Sequence, residues 1–406
     1  MDHLHLHFYL YLFSGFFLLA AILGAIVIVR HIKRSSQLKD LPNKLICEGY
    51  AFIKPFEGPA INRKKPFFED QSPSWQNAMA ACGALYQKAG VKVIYTIHGT
   101  FTGDDPLGFI SFIKLGYPRL SKTLEITLKQ TLKASTNNLM QDTGNFTDAY
   151  IELTKKALGG GIEVMDFCWS SENHHYARLK GSIELANTLA QKIRQDDIKS
   201  KEAILLLGHS HAGQLFSLIN LFCASPTQQT KKLFDIIKEE FDGDSFMKHI
   251  AIIKKARIYY VTLGTPPRYP WPFKEQKNLL NIVNHRGTSL ETTGLRGILQ
   301  TKDGDYIQKF GVSGSDLISN IKKERSLNHK LEPLLGPSFN LAHWKKETAS
   351  KKRPLNGGFT ALIDLKEKDQ NPLDFVSSIF GHGTYTRYEK ILELHTLITG
   401  HFFKKS

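Results

Sequence analysis

A serine flanked by two histidines in a run of small residues is the first feature of this chain that could do chemistry. The stretch Gly208-His209-Ser210-His211-Ala212-Gly213 closes an apolar run, AILLLGHS, and opens a helical pattern in which Leu215, Leu218, Ile219 and Phe222 share one face. A strand turning sharply into a helix holds such a serine on a strained bend. The residues two before it and two to three after it must be small to avoid a clash, and Gly208, Ala212 and Gly213 meet that need. The chemistry implied is attack by the hydroxyl oxygen on a carbonyl carbon. The N–H of His211, at the mouth of the helix, is placed to meet the oxyanion that develops. The plain alternative is a small-residue turn in an ordinary nucleotide-binding type of sheet; the strand-serine-helix order argues for the chemical reading.

Those residues need a frame. Short β-branched runs recur along the chain at 92–99, 162–169, 203–210, 256–264, 278–284 and 359–365, with helical patterns between them. Continuous apolar runs of that length, alternating with helices, predict an α/β chain with a mostly parallel central sheet covered on both faces. A short extended stretch near Leu45–Lys54 and a helix around Trp75–Lys88 precede the first full run. The long interval between the last two runs predicts a cap-like insertion at about 288–356, with helical pattern around Ser315–Glu324. The first of the six runs ends in His98-Gly99-Thr100-Phe101-Thr102-Gly103. A glycine there lets the backbone approach closely, so the N–H of Thr100 or Phe101 is the expected second oxyanion donor, with His98 organising the turn.

Several stretches together carry a likeness: His98-Gly99-Thr100 with Gly103-Asp104-Asp105-Pro106, Gly144-Asn145-Phe146-Thr147, Trp169-Ser170-Ser171-Glu172-Asn173 leading to Arg178, and GHSHAG. Over about residues 90–400 the sequence resembles bacterial α/β-hydrolase-fold serine hydrolases of the lipase/esterase type. The resemblance implies ester hydrolysis through an acyl-enzyme, with no metal and no organic cofactor. It also implies a base and an acid in the chain order serine, acid, histidine. His382, in Gly381-His382-Gly383-Thr384-Tyr385 before the last helix, is the expected base. His395 is its competitor, but it follows Ile391 and Leu394 in a helical pattern and reads as a core residue. The acid is expected just past NLLNIVN, where the chain instead continues His285-Arg286-Gly287-Thr288-Ser289, without a carboxylate. Asp305, in Gly304-Asp305-Tyr306-Ile307, is the first good candidate; Asp303, Asp316 and Glu291 stay open. Trp169 and Asn173 after one strand, and Arg268 after another, sit at carboxyl ends of parallel strands and are expected to line the substrate site.

The N-terminus points to a membrane. From Phe8 to Val29 no residue is charged, and Arg30, His31, Lys33 and Arg34 follow at once. A helix of that length spans roughly 33 Å, enough for a bilayer core. Without a positive n-region it reads as a retained anchor rather than a cleaved leader, and the positive flank places the remaining chain on the cytoplasmic side. The predicted organisation is therefore residues 1–34 as anchor and flanks, 35–90 as a linker and lead-in, and 91–406 as the hydrolase domain. Lysine plus arginine number 53 against 38 acidic residues, a formal charge of +15. That charge alone suits nucleic acid or anionic lipid. No nucleic-acid motif accompanies it, and none is expected to bind; Arg63-Lys64-Lys65 and Lys351-Lys352-Arg353 read as a solvated face. Four cysteines without a CxxC pair exclude a disulfide scaffold and a cysteine zinc knuckle. The expected partners are a lipid or ester substrate and the membrane. The missing carboxylate after NLLNIVN keeps a second function class open, a membrane-tethered binding or scaffolding protein that retains the fold without catalysis.

Overall fold

The computed structural model describes residues 50–100, 102–103, 126–127, 129–130, 133–134, 140–272, 277–286, 301, 303–349, 353–365 and 380–404. Its strands are β1 (Tyr50–Ile53), β2 (Val91–Ile97), β3 (Glu163–Phe167), β4 (Ala203–His209), β5 (Arg257–Leu263), β6 (Leu279–Asn284) and β7 (Phe359–Ile363). They form one sheet in the order β1-β7-β6-β5-β4-β2-β3, and every pairing is parallel. The six expected runs are β2 to β7, and the extended stretch before them is the edge strand β1.

Side chains alternate between two apolar layers, which is why these runs are mostly apolar. Val93, Tyr95 and Ile97 of β2, with Ile204 and Leu206 of β4, face one layer. Ile94 of β2, with Leu205 and Leu207 of β4, faces the other. Helices α3 (His175–Gln195), α4 (Ala212–Cys223), α5 (Gln228–Glu240), α6 (Gly243–Ile253) and, further along, α8 (Lys322–Leu335) contribute to the first layer. The second is closed by α1 (Pro73–Lys88), α2 (Asp148–Leu158) and α10 (Ile391–Phe402). All seven residues of β4 are buried. The predicted helix around Trp75–Lys88 is α1, started by Ser72, whose hydroxyl accepts from the Trp75 N–H at 3.3 Å, and by Pro73 in its first turn.

Strand order reverses beside β2. The chain moves outward from β2 to β3, then returns to place β4 on the other side of β2. In open α/β sheets the crevice beyond the carboxyl ends at such a reversal is where ligands bind. Here it lies between Ile97 and His209, the two strand ends that lead into Gly99-Thr100 and Ser210.

Between β6 and β7 lie α7 (Tyr306–Phe310), α8 and α9 (Leu341–Ala349). The helical pattern expected over Ser315–Glu324 is correct only at its end, since α8 starts at Lys322. Residues 315–321 are held out of a helix by tertiary bonds. The Asp316 N–H donates to the Ser338 carbonyl at 3.1 Å, the Leu317 N–H donates to the Asn173 carbonyl at 2.7 Å, and the Asp316 carboxylate is drawn into the interior. Among the described residues no helix is long and apolar enough to cross a membrane; the expected anchor, Phe8 to Val29, lies outside them, as does Glu291.

Candidate active site

Ser210 occupies the turn between β4 and α4 with a left-handed backbone, φ 55°. A non-glycine residue held there costs roughly 1–3 kcal/mol, and persists only where the surroundings enforce it. They do so through its own peptide: the Ser210 N–H donates to the Leu263 carbonyl at 2.8 Å, and the Ser210 carbonyl accepts from the Thr265 hydroxyl at 2.6 Å. The side chain is thereby aimed at His382, whose Nε2 lies 2.8 Å from Ser210 Oγ. On the far side of the ring, His382 Nδ1 lies 2.8 Å from Asp305 Oδ2. With Nδ1–H donating to the carboxylate, Nε2 presents a lone pair to the serine proton.

Asp305 is fully buried and saturated with donors. It receives the His382 ring on Oδ2, the Tyr385 hydroxyl at 2.8 Å on the same oxygen, and the Gln308 N–H at 2.8 Å on Oδ1 as the N-cap of α7. Burial alone would raise its pKa; the adjacent His382, the Gln308 N–H and the Arg353 guanidinium outweigh it and hold the carboxyl below its ordinary value. A carboxylate that stays ionised can fix the imidazole tautomer and support the imidazolium.

The segment that carries the acid reaches this place through the end of β6. His285 and Gly304 form an isolated antiparallel bridge, and the Asp305 N–H donates to the Asn284 carbonyl at 2.9 Å. The carboxylate therefore stands beside β6 although it comes twenty-one residues after Asn284. The histidine loop closes over the same point. Gly381 has φ 80°, and a Cβ on it would lie 2.2 Å from the Gly304 carbonyl oxygen, so only glycine lets the two loops touch. Asp303 and Asp316, the other described candidates for the acid, do not meet His382. The Asp303 carbonyl accepts from Arg353 at 2.7 Å, and Asp316 pairs with Arg178 and Arg268. His395 bonds the Tyr86 hydroxyl at 2.8 Å within the core, as its helical position suggested.

The loop after β2 lies against the serine turn. A Cβ at Gly99 would lie 2.7 Å from Ser210 Cβ, so the approach requires the missing side chain. Thr100 Oγ1 is hydrogen-bonded to His211 Nδ1, tying the two loops together. His211 is the N-cap of α4, where backbone N–H groups have no acceptor inside the helix. Phe101 lies outside the described residues. His98 organises its turn as expected: its Nδ1 lies 3.0 Å from the Gly99 carbonyl, and its Nε2 accepts the Trp169 N–H at 3.3 Å.

Trp169, Asn173 and Arg268, expected to line the substrate site, all turn inward. The Trp169 indole N–H donates to the His98 carbonyl at 2.9 Å, and Asn173 Oδ1 accepts from Arg178 at 3.0 Å. Arg268 is paired with Asp316 and also donates to the Pro337 carbonyl at 2.6 Å. Glu172, His174 and Glu324 cluster nearby with a spacing that a metal could use. However, His174 Nδ1 accepts the Ala177 N–H at 3.1 Å, which leaves the hydrogen on Nε2, facing the two carboxylates. A nitrogen carrying a hydrogen offers no lone pair to a cation.

Two contributors gave little signal in the sequence. Tyr385 was visible only as the fifth residue of the histidine stretch. Arg353, grouped with Lys351-Lys352 as solvated, is in fact buried: it donates to the Asp305 carbonyl at 2.6 Å and to Gln308 Oε1 at 2.9 Å. The desolvation cost of that guanidinium is offset by carbonyl acceptors that the sequence does not reveal.

Burial also keeps several histidines neutral. It pushes His98 and His209 down to about 3 and His395 to about 4. Below the ordinary histidine pKa of about 6.5 the unfolded chain takes up protons that the folded chain refuses. Stability must therefore decrease as pH falls below that value, by up to about 1.4 kcal/mol per group and pH unit. Urea midpoints at pH 7.5 and 5.0 check this, and the lower pH is expected to give the lower midpoint.

The described geometry thus brings a serine on a strained turn, an oriented imidazole, a buried carboxylate and two facing loop ends to the carboxyl edge of the sheet, and comparison of the chain with protein-family models, curated proteins and solved structures gives no match.

Proposed function

We propose that the chain is a serine hydrolase of the α/β-hydrolase architecture that cleaves carboxylic esters, with lipid-like or acylated substrates reached through a membrane anchor. The observation that carries this reading is the unbroken path Ser210 Oγ to His382 Nε2 to Asp305, with both contacts at 2.8 Å. In the first half-reaction Ser210 Oγ bonds to the ester carbonyl carbon while His382 Nε2 takes the hydroxyl proton. The oxyanion is expected to face the backbone N–H groups of His211 and Thr100. Collapse breaks the bond to the alcohol oxygen, which leaves with the proton from His382. Water then loses a proton to His382, adds to the acyl carbon, and releases the acid as Ser210 recovers its hydrogen. Asp305 stays ionised throughout.

Activity-based labelling tests the reading. The full chain in detergent is expected to form a covalent adduct with a fluorophosphonate and to hydrolyse p-nitrophenyl esters; Ser210→Ala is expected to do neither. Equal turnover by the two proteins overturns it. A second variant reads the close approach of the loops. Gly99→Ala places a methyl group 2.7 Å from Ser210 Cβ, so one of the loops must shift. Misplacement on that scale costs about 100-fold, read as the rate of fluorophosphonate labelling.

A further inference from the structure

We propose that the rim formed by β1 and the segment leading from it to α1 rests on an anionic bilayer surface. Of the eight large apolar side chains exposed among the described residues, four lie here: Tyr50, Phe52, Phe56 and Phe67, with Phe67 62% exposed. Lys54, Lys64 and Lys65, also exposed, are interleaved with them. Aromatic rings with lysines between them suit the headgroup level of a membrane, where the rings sit amphipathically and the ammonium groups meet anionic lipid.

Three further observations select this occupant. First, among the described residues β1 is an outer strand that pairs with β7 alone, and Tyr50 and Phe52 contact each other on its exposed face. An uncovered apolar edge invites pairing with another chain, but a four-residue strand followed by lysine resists it, so a second copy is the poorer fit. Second, β1 runs parallel to the other strands, so the chain leaves Ile53 at the end of the sheet that carries Ser210 and His382. Arg63 fixes the segment there through its ion pair with Glu389, seven residues after His382. Third, the uncharged stretch ending at Val29 is separated from Tyr50 by twenty residues, among them Arg30, Lys33, Arg34, Lys39 and Lys44. Such a tether reaches at most about 70 Å. A bilayer holding that stretch is then within reach of the rim, and docking of the rim turns the serine end of the sheet toward lipid. The inference stands whether or not Ser210 is a nucleophile.

Site-specific photocrosslinking tests it. The full chain carrying benzoylphenylalanine in place of Phe67, Phe52 or, as a control on α5, Asp235 is reconstituted in phosphatidylcholine vesicles with and without phosphatidylserine. Lipid adducts are expected at positions 52 and 67 at several times the yield at 235, rising with phosphatidylserine. Lys54→Glu with Lys64→Glu and Lys65→Glu is expected to reduce them several-fold while circular dichroism stays unchanged. Yields no greater than at 235, yields indifferent to phosphatidylserine, or adducts to residues 8–29 or to a second copy of the chain each overturn the proposal.

Discussion

Asp305→Asn is expected to lower kcat/KM on a p-nitrophenyl ester by about 10⁴ without loss of fold. The reason is the direction of one proton. Asp305 accepts from His382 Nδ1, Tyr385 and the Gln308 N–H, so every partner on its carboxylate is a donor. An asparagine offers one oxygen and one NH2 group. With the oxygen kept on the Gln308 N–H, the NH2 group faces His382 Nδ1, which must then accept. The ring hydrogen moves to Nε2, pointing at Ser210 Oγ, and the lone pair that should take the serine proton is gone. Tyr385→Phe removes one donor from Asp305 and the acceptor of the Asn284 N–H but leaves the tautomer, so its loss is expected to be far smaller, on the order of tenfold. Asp303→Asn, on an acidic residue that does not bond His382, is expected to keep near-normal rates. Equal kcat/KM for Asp305→Asn and the unaltered chain would remove the acid from the mechanism.

Why Ser210 and His382 were legible and the acid less so follows from how each is encoded. The serine turn needs a β-run, small neighbours and a helix start in immediate succession, and all three are local. The histidine needs a glycine-flanked loop before a last helix, again a local pattern. Asp305 is placed by a tertiary event, the antiparallel contact of Gly304 with His285 at the end of β6, which has no sequence period. The same holds for Arg353 and for residues 315–321, whose conformations answer to partners far along the chain. The six apolar runs were legible because a strand buried on both faces is apolar along most of its length, as β4 is from Ala203 to Leu207. The missing carboxylate after NLLNIVN, which favoured a non-catalytic scaffold, loses its weight once Asp305 stands in that place.

The largest effect on stability is expected at Asp316, not at the serine. Arg178 is fully buried, and it delivers one guanidinium nitrogen to both Asp316 oxygens at 2.7 Å; Arg268 meets the same carboxylate from another side. Around them Arg178 also donates to the Tyr269 hydroxyl at 2.8 Å. The two cations hold the Asp316 carboxyl far below its ordinary range despite its burial. Asp316→Asn leaves both guanidiniums in the interior with an amide NH2 group turned against one of them. Stranding buried charge in this way costs about 3–5 kcal/mol, to be read from urea unfolding at pH 7.5. The acid limb supplies the sign. A depressed carboxyl contributes its stability in full above the unfolded value of about 3.9 and loses it as pH falls below that. The variant is therefore expected to lack that part of the wild-type loss at acid pH. Replacing all three members together, Arg178→Met, Arg268→Met and Asp316→Leu, removes the stranded charge and is expected to recover most of the stability. If the single and triple variants unfold at the same midpoint, the interior charges are not what pins residues 315–321 to α3.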